Sequence, residues 1–157
     1  MGGRRRYLLL VDDNPAIIAA LARELQAWSQ ERSLSILTAS SAEEALELVT
    51  CHGQDILIVL SDLRMSGMSG ADLLVGLSLS HPHMVSLLLT DVIDLDEILK
   101  TSKADVFGVI SKPWDTWNLR LELTMAYETA ENRAIASPGA YSERQLRANG
   151  SDAPSFG

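Results

Sequence analysis

The chain has 157 residues, 46% of them apolar, which suits one globular domain with a real core rather than a disordered chain. Its formal net charge is −8, with 21 acidic against 13 basic residues, and this argues against a general nucleic-acid binder, because phosphate backbones need Lys and Arg to neutralise them. Cys51 stands alone and no stretch reaches ~18 uninterrupted apolar residues; both argue against a disulfide framework, a cysteine metal site or a membrane span, and a reducing cytoplasm is the expected location.

Residues 1–6 read as a short N-terminal extension. Its Arg4-Arg5-Arg6 cluster is a solubilising start to a strand, too short for a binding arm, and it lacks the small-residue cleavage site of a signal peptide. Residues 7–11 are wholly apolar and predict the first strand. It ends in Asp12-Asp13-Asn14-Pro15, where Asn14 is a good N-cap and Pro15 suits the first helical position. Ile17, Ile18, Leu21, Leu25 and Trp28 then recur at helical spacing and predict one buried stripe. Residues 34–38 predict the second strand. Ser41 with Glu44 three residues on is a capping-box pattern; it opens a second helix expected to bury Ala45, Leu46 and Val49, with Gly53 as its C′ glycine. Residues 56–60 predict the third strand, carrying Asp62 at its exit. Gly67 and Gly70 are expected to loosen the loop before a third helix with Leu73, Leu74 and Leu77 inside.

Residues 84–89 predict the fourth strand, ending at Thr90. Asp94 with Glu97 caps a fourth helix that buries Leu95, Ile98 and Leu99. Residues 106–110 predict the fifth strand, ending in Ser111-Lys112-Pro113. A fifth helix starts near Asp115 and carries Leu119, Leu123, Ala126 and Tyr127 on one face. Residues 135–157 are polar, with Ser137-Pro138-Gly139 as a stop. They read as a flexible tail or linker stub, with at most one helical turn at 143–148.

Five strands starting at residues 7, 34, 56, 84 and 106 alternate with five helices, which predicts an α/β fold with a doubly wound five-stranded parallel sheet. Four strand ends carry polar groups: Asp12-Asp13, Asp62, Thr90 and Lys112. The flavodoxin-like order 2-1-3-4-5 makes strands 1, 3, 4 and 5 neighbours and brings those groups to one edge, where open α/β sheets bind ligands. Read singly, each has a bland account. Asp-Asp-Asn-Pro is turn and cap chemistry, Asp62 precedes a Gly loop, and Lys112-Pro113 is a strand stop with a solvated lysine. Their conjunction, each at a strand end, points to a site.

Three carboxylates in one pocket repel and need a cation or a proton. Carboxylates with a backbone carbonyl and water suit Mg²⁺. Asp13 and Asp62 are the expected direct ligands, with Asp12 holding a coordinated water and a carbonyl of the loop after Asp62 as the third protein ligand. In phosphoryl transfer the Asp62 carboxylate is then the nucleophile. Mg²⁺ and Lys112 neutralise the transferred group, Thr90 donates a hydrogen bond to it, and water later hydrolyses the acyl phosphate.

The pieces Leu10-Val11-Asp12-Asp13-Asn14, Asp62-Leu63-Arg64-Met65 with Gly67-Met68 and Gly70, Leu89-Thr90, and Lys112-Pro113-Trp114 resemble the receiver domain of bacterial two-component response regulators. The resemblance runs from about Tyr7 to Tyr127, and the domain is taken as residues 7–134. It implies Asp62 as phosphoacceptor, Asp12 and Asp13 as metal-site acids, the Arg64 carbonyl as third ligand, Thr90 as switch hydroxyl and Lys112 as phosphoryl-binding lysine. It also implies a phosphohistidine donor on a sensor histidine kinase or a histidine phosphotransfer protein, and an output read by a downstream protein effector or by homodimerisation. No enzyme activity beyond self-phosphotransfer and autodephosphorylation is expected, nor direct contact with nucleic acid or membrane.

Three positions depart from the family. Ser66 replaces the usual proline after the acceptor. Asp91 follows Thr90 where a small residue is usual; its side chain either adds charge to the pocket or turns outward. Val109 stands where many receivers carry a switch Tyr or Phe, and Phe107, on the same face by strict alternation, either substitutes or packs in the core. His81 and His83 flank Pro82 and read as a turn rather than a metal pair, and Trp114 and Trp117 as packing. Leu121 and Met125 lie off the main helical stripe, as interface or as peripheral core. Two other classes compete. An aspartyl-phosphate phosphatase requires a second aspartate two residues after the nucleophile, where Arg64 stands. A phosphorylation-independent binding module has Val109 and Asp91 in its favour and the full acidic set with Lys112 against it.

Overall fold

The computed structural model describes residues 4–91 and 106–135. Five strands, β1 (Arg6–Val11), β2 (Leu34–Ala39), β3 (Ile56–Asp62), β4 (Val85–Thr90) and β5 (Val106–Ser111), form one parallel sheet in the order β2-β1-β3-β4-β5. Among the described residues four helices cover it: α1 (Pro15–Glu31), α2 (Ala42–His52), α3 (Gly70–Ser80) and α4 (Thr116–Ile135). The helix expected from Asp94 and Glu97, with Leu95, Ile98 and Leu99, lies outside the described residues, so α4 is the helix the sequence predicts as its fifth. Of residues 135–157, expected as a tail, Ile135 closes α4 and residues 136–157 lie outside the described residues too. No described helix is long and apolar enough to cross a membrane.

The sheet divides two cores. Leu8, Leu10, Ile58, Leu60, Leu87, Leu89 and Ile110 pack under α1 and α4, against Leu21, Leu25, Trp28, Leu119, Leu123 and Ala126. Leu9, Val11, Val59 and Leu88 pack on the other face, under α2 and α3, against Ala45, Val49, Leu73, Leu74 and Leu77. Every residue of β3 and β4 is buried, as strands covered on both faces must be. Each such leucine contributes roughly 1.5–3 kcal/mol, so the sheet interior dominates stability and its C-terminal edge is a rigid platform. Ile17 and Ile18 are only partly buried against the first core, and Tyr127 likewise.

Several local expectations change. β3 and β4 run on through Asp62 and Thr90, so both polar groups are the last residues of buried strands rather than loop residues. Leu46 is exposed: only Ala45 and Val49, with Ala42, face the core. Gly53 is not a left-handed C′ glycine. Its φ of −52° continues into a 3-10 turn, Gly53–Asp55, and its lack of a side chain serves another need, since a Cβ there would meet His81 Nε2 at 2.8 Å. On β5 the register with β4 shifts between Ser86 and Leu87, which breaks strict alternation. Phe107 therefore packs with the α1/α4 core, while Val109, opposite Leu88, faces the other way and is 41% exposed. Phe107 does not share the Val109 face; it is partly buried and packs against the core.

The caps form largely as the sequence predicts. Asn14 Oδ1 accepts from the Ala16 N–H at 2.9 Å with Pro15 as first helical residue, and Asp115 Oδ2 accepts from the Asn118 N–H at 2.8 Å. Ser41 Oγ accepts from the Glu44 N–H at 3.0 Å, but the Glu44 carboxylate turns back to the Ser40 N–H and hydroxyl, at 2.7 and 2.8 Å, instead of closing the box on Ser41. Those bonds from Ser40, the backbone one foremost, hold the Glu44 carboxyl below its ordinary pKa. Ser41→Ala is expected to cost about 1 kcal/mol, read as a lower urea midpoint at unchanged slope.

Candidate functional site

The strand ends meet at the edge the topology predicts. Asp12 follows β1 and is buried to 1% exposure; Asp62 closes β3 at 6% and Thr90 closes β4 at 2%. One carboxylate oxygen from each of Asp12, Asp13 and Asp62 lies within 4.8 Å of the other two. Lys112, from the exit of β5, places Nζ 2.8 Å from Asp12 Oδ2 and 3.2 Å from Asp62 Oδ1. Its backbone N–H donates to the Thr90 carbonyl at 2.9 Å, which locks the two strand ends together. The Lys112–Pro113 peptide is cis.

The loops add a second layer of fixing. Asp12 Oδ1 accepts from the Asn14 N–H at 2.9 Å, so the acid is held by the start of its own helix. Asp13, exposed, accepts from the Ser66 N–H at 3.2 Å and so ties the β1 exit to the loop after Asp62. Gly67 in that loop has φ +79°, a left-handed conformation that favours glycine. Gly70 does not loosen anything. It opens α3, donates its N–H to the Leu63 carbonyl at 2.9 Å, and sits so close that a Cβ would meet the Asp62 carbonyl oxygen at 1.9 Å. Only glycine lets α3 start against the acceptor strand.

Electrostatics follow from burial. Burial, with the Asp12 charge second, pushes the Asp62 carboxyl above its ordinary pKa; Lys112 opposes this without cancelling it. Burial acts to lower the Lys112 ammonium, but its hydrogen bond to Asp12 and the charges of Asp12 and Asp62 together hold it above the ordinary value. Three carboxylates against one ammonium leave the ionised site short of positive charge. The donors are hard oxygens on a rigid edge, and they lie close enough together that a metal ion could be held among them. The residues present therefore fit a metal.

The departures resolve in part. Asp91 is exposed, the outward of its two readings. Arg64 is exposed in the loop directly after Asp62 and Leu63. His81 and His83 lie at the opposite end of the sheet, with His83 Nε2 2.8 Å from the Gly53 carbonyl oxygen; burial holds the His83 ring below its ordinary pKa. They build the turn into β4, as expected. Trp114 is half-buried against the core, but Trp117 is 76% exposed and does not pack. Leu121 and Met125 are exposed too, so they are not peripheral core. Sequence reasoning misses three contributors. Ser61 is buried and its hydroxyl donates to the Asp62 carbonyl at 2.9 Å; its signal is a polar residue interrupting an apolar run. Glu43 accepts from the Met68 N–H at 3.3 Å and lies against Gly67, a contact between distant segments with no local signature. The third is Glu24, which meets Trp114.

Residues 8–124 match the family model of the response regulator receiver domain. Among curated proteins, the DNA-binding transcriptional regulator NtrC of Klebsiella pneumoniae is 34% identical over 112 residues, 71% of this chain and 23% of its own length. The transcriptional regulatory protein GlrR of Escherichia coli K12 is 30% identical over 115 residues, 73% of this chain and 24% of its own. The chain thus spans about a quarter of the length of these relatives. Among solved structures, the signal receiver domain of an HD domain-containing protein from Pseudomonas fluorescens Pf-5 superposes with a TM-score of 0.74 at 29% identity, covering 82% of this chain and 99% of that one. A response regulator receiver domain protein from Clostridium thermocellum does so at 0.70 and 26%, covering 83% and 98%.

Proposed function

The chain belongs to the response regulator receiver domain family, and from that premise we propose that it is a phosphoacceptor module of a two-component or phosphorelay system, taking its phosphoryl group on Asp62. The observation that carries this reading is the position of the Lys112 Nζ, 2.8 Å from Asp12 and 3.2 Å from Asp62, at a buried carboxylate cluster on the C-terminal edge of the sheet. That arrangement offers a nucleophile, a cation for the transferred group and a place for a second cation.

In the proposed reaction the Asp62 carboxylate attacks phosphorus of a phosphohistidine. The N–P bond breaks, an acyl O–P bond forms, and the histidine leaves with the N–P electron pair. Lys112 follows the group by exchanging its contact with Asp62 for one to a phosphoryl oxygen while keeping Asp12. The Thr90 hydroxyl donates to another oxygen. Asp13 and Asp62, with the Arg64 carbonyl, would hold Mg²⁺ directly, and Asp12 through a water. When bound, Mg²⁺ supplies the charge neutralisation that lets an anionic phosphoryl group approach three acids. Water ends the state by hydrolysing the acyl phosphate.

The donor is a sensor histidine kinase or a histidine phosphotransfer protein, and the exchange takes place in the cytoplasm. The output is a shifted conformational equilibrium read by a protein effector or a second copy. Trp117, Leu121 and Met125, exposed on α4, are available to such a partner. Val109 is no switch aromatic, so the readout of Thr90 passes through backbone and packing rather than a swinging ring. The test is thermal unfolding with Mg²⁺ and beryllofluoride, a phosphoryl mimic. The wild type is expected to gain at least ~3 °C over Mg²⁺ alone, because a ligand of the folded state stabilises it. An unchanged Tm counts against the acceptor reading and for a binding module that needs no phosphoryl group.

A further inference from the structure

We propose that Glu24 is a positioning residue for Lys112, acting through Trp114. The kinetic side of this proposal rests on the reading of Asp62 as phosphoacceptor; the structural side rests on geometry alone. The lysine stands on a short segment that is tied down at both ends. At one end the Lys112 N–H donates to the Thr90 carbonyl at 2.9 Å. At the other, two residues on, the Trp114 Nε1–H donates to Glu24 Oε1 at 2.8 Å, while the ring packs against the α1/α4 core. Arg120, in the first turns of α4, donates to the Glu24 carbonyl at 3.5 Å and draws the start of that helix to the same turn of α1.

The second Glu24 oxygen makes the case. Oε2 is buried with no hydrogen-bond partner among the described residues. A carboxylate oxygen buried without a donor costs stability, and packing alone would be served as well by an apolar side chain. What the carboxylate contributes is a strong acceptor for an indole N–H that burial leaves in need of one. The helix that supplies it is the one that begins at Pro15, directly after Asp12, Asp13 and Asn14. Glu24 therefore fixes the lysine segment to the helix that directly follows two of the acids, one of which, Asp12, accepts from the Asn14 N–H at the start of that helix. Lys112 has a long flexible side chain, and its Nζ can be shared between Asp12 and Asp62 only if its backbone is held against both. With that tie cut, the segment is free to shift, and displacements near 1 Å at a reacting group cost rate.

The experiment measures Asp62 phosphorylation by acetyl phosphate at saturating Mg²⁺. Glu24→Ala is expected to slow it about tenfold, with the Mg²⁺ Kd changed less than about twofold, since the acids are untouched. Glu24→Gln keeps an oxygen for the indole and is expected to stay within about twofold of wild type. Trp114→Phe is expected to match Glu24→Ala, and the double variant to add nothing further. Independently of phosphoryl chemistry, the Tm losses of Glu24→Ala and Lys112→Met in the metal-free protein are expected to be non-additive, the pair losing less than their sum. A wild-type rate in Glu24→Ala, failure of glutamine to rescue, or additive Tm losses overturns the proposal. If the wild type itself takes no phosphoryl group, the acceptor reading falls, and the unfolding coupling alone decides the role of Glu24.

Discussion

Replacing Asp62 by asparagine is expected to abolish phosphorylation and, at the same time, to make the metal-free protein more stable. The first effect is the loss of the nucleophile. The second follows from the same burial that builds the site. Asp62 is 6% exposed and its carboxyl is pushed above the ordinary pKa by burial and by Asp12. Its charged form is therefore less favourable folded than unfolded. A raised carboxyl contributes stability that is fully present below its unfolded value and lost as pH rises through the folded one. Above the folded value the wild type has lost it. The asparagine side chain carries no charge, so the variant should gain about 1 kcal/mol, roughly 3 °C in a domain of this size. The gain should shrink as pH falls through the folded value of Asp62 toward the unfolded one at ~4. Saturating Mg²⁺ should reverse the order, because it stabilises the wild type through a carboxylate that the variant lacks. Thermal unfolding of both proteins across pH, with chelator and with Mg²⁺, checks each part. A variant less stable than wild type without metal contradicts the electrostatic account.

Lys112→Met has the opposite sign. The lysine is the cation between Asp12 and Asp62, with a side chain only 13% exposed. A buried ion pair is not in itself a source of stability, but removing one partner leaves the other charges uncompensated. Here two buried acids and Asp13 would remain. The metal-free variant is expected to lose about 2–3 kcal/mol, a fall of roughly 8 °C. Two consequences separate this from general damage. Mg²⁺ should restore most of the loss and bind at least ~10-fold more tightly, since no ammonium competes for the carboxylates. Phosphorylation by a small phosphodonor should nevertheless fall by about 10²–10³, because the cation that follows the phosphoryl group is gone. Calorimetric Mg²⁺ titration and phosphorylation rates read these separately. Weaker Mg²⁺ binding in the variant would place Lys112 outside the role given to it.

Much of this is open to reading in the chain. Buried parallel strands are continuous apolar runs closed by turn residues, so each strand can be placed to within one or two residues, and the sheet order follows from where the polar groups have to meet. Asp12, Asp62, Thr90 and Lys112 are visible because each closes a strand or directly follows one. What escapes is set by contacts between distant segments. The glycine at 70 answers to the Asp62 carbonyl and the glycine at 53 to His81, neither of which a local rule anticipates. The shifted register on β5 separates Phe107 from Val109, although period-2 counting joins them. Glu24 and Trp114 are 90 residues apart and nothing in either neighbourhood announces the other.

The central claim, that Asp62 is the acceptor at a metal-dependent site, is tested most directly by intact-protein mass after incubation with acetyl phosphate. One added phosphoryl group is predicted for the wild type with Mg²⁺, and none with chelator or in Asp62→Asn. An adduct that persists in Asp62→Asn, or a wild type that stays unmodified with Mg²⁺ present, would contradict it.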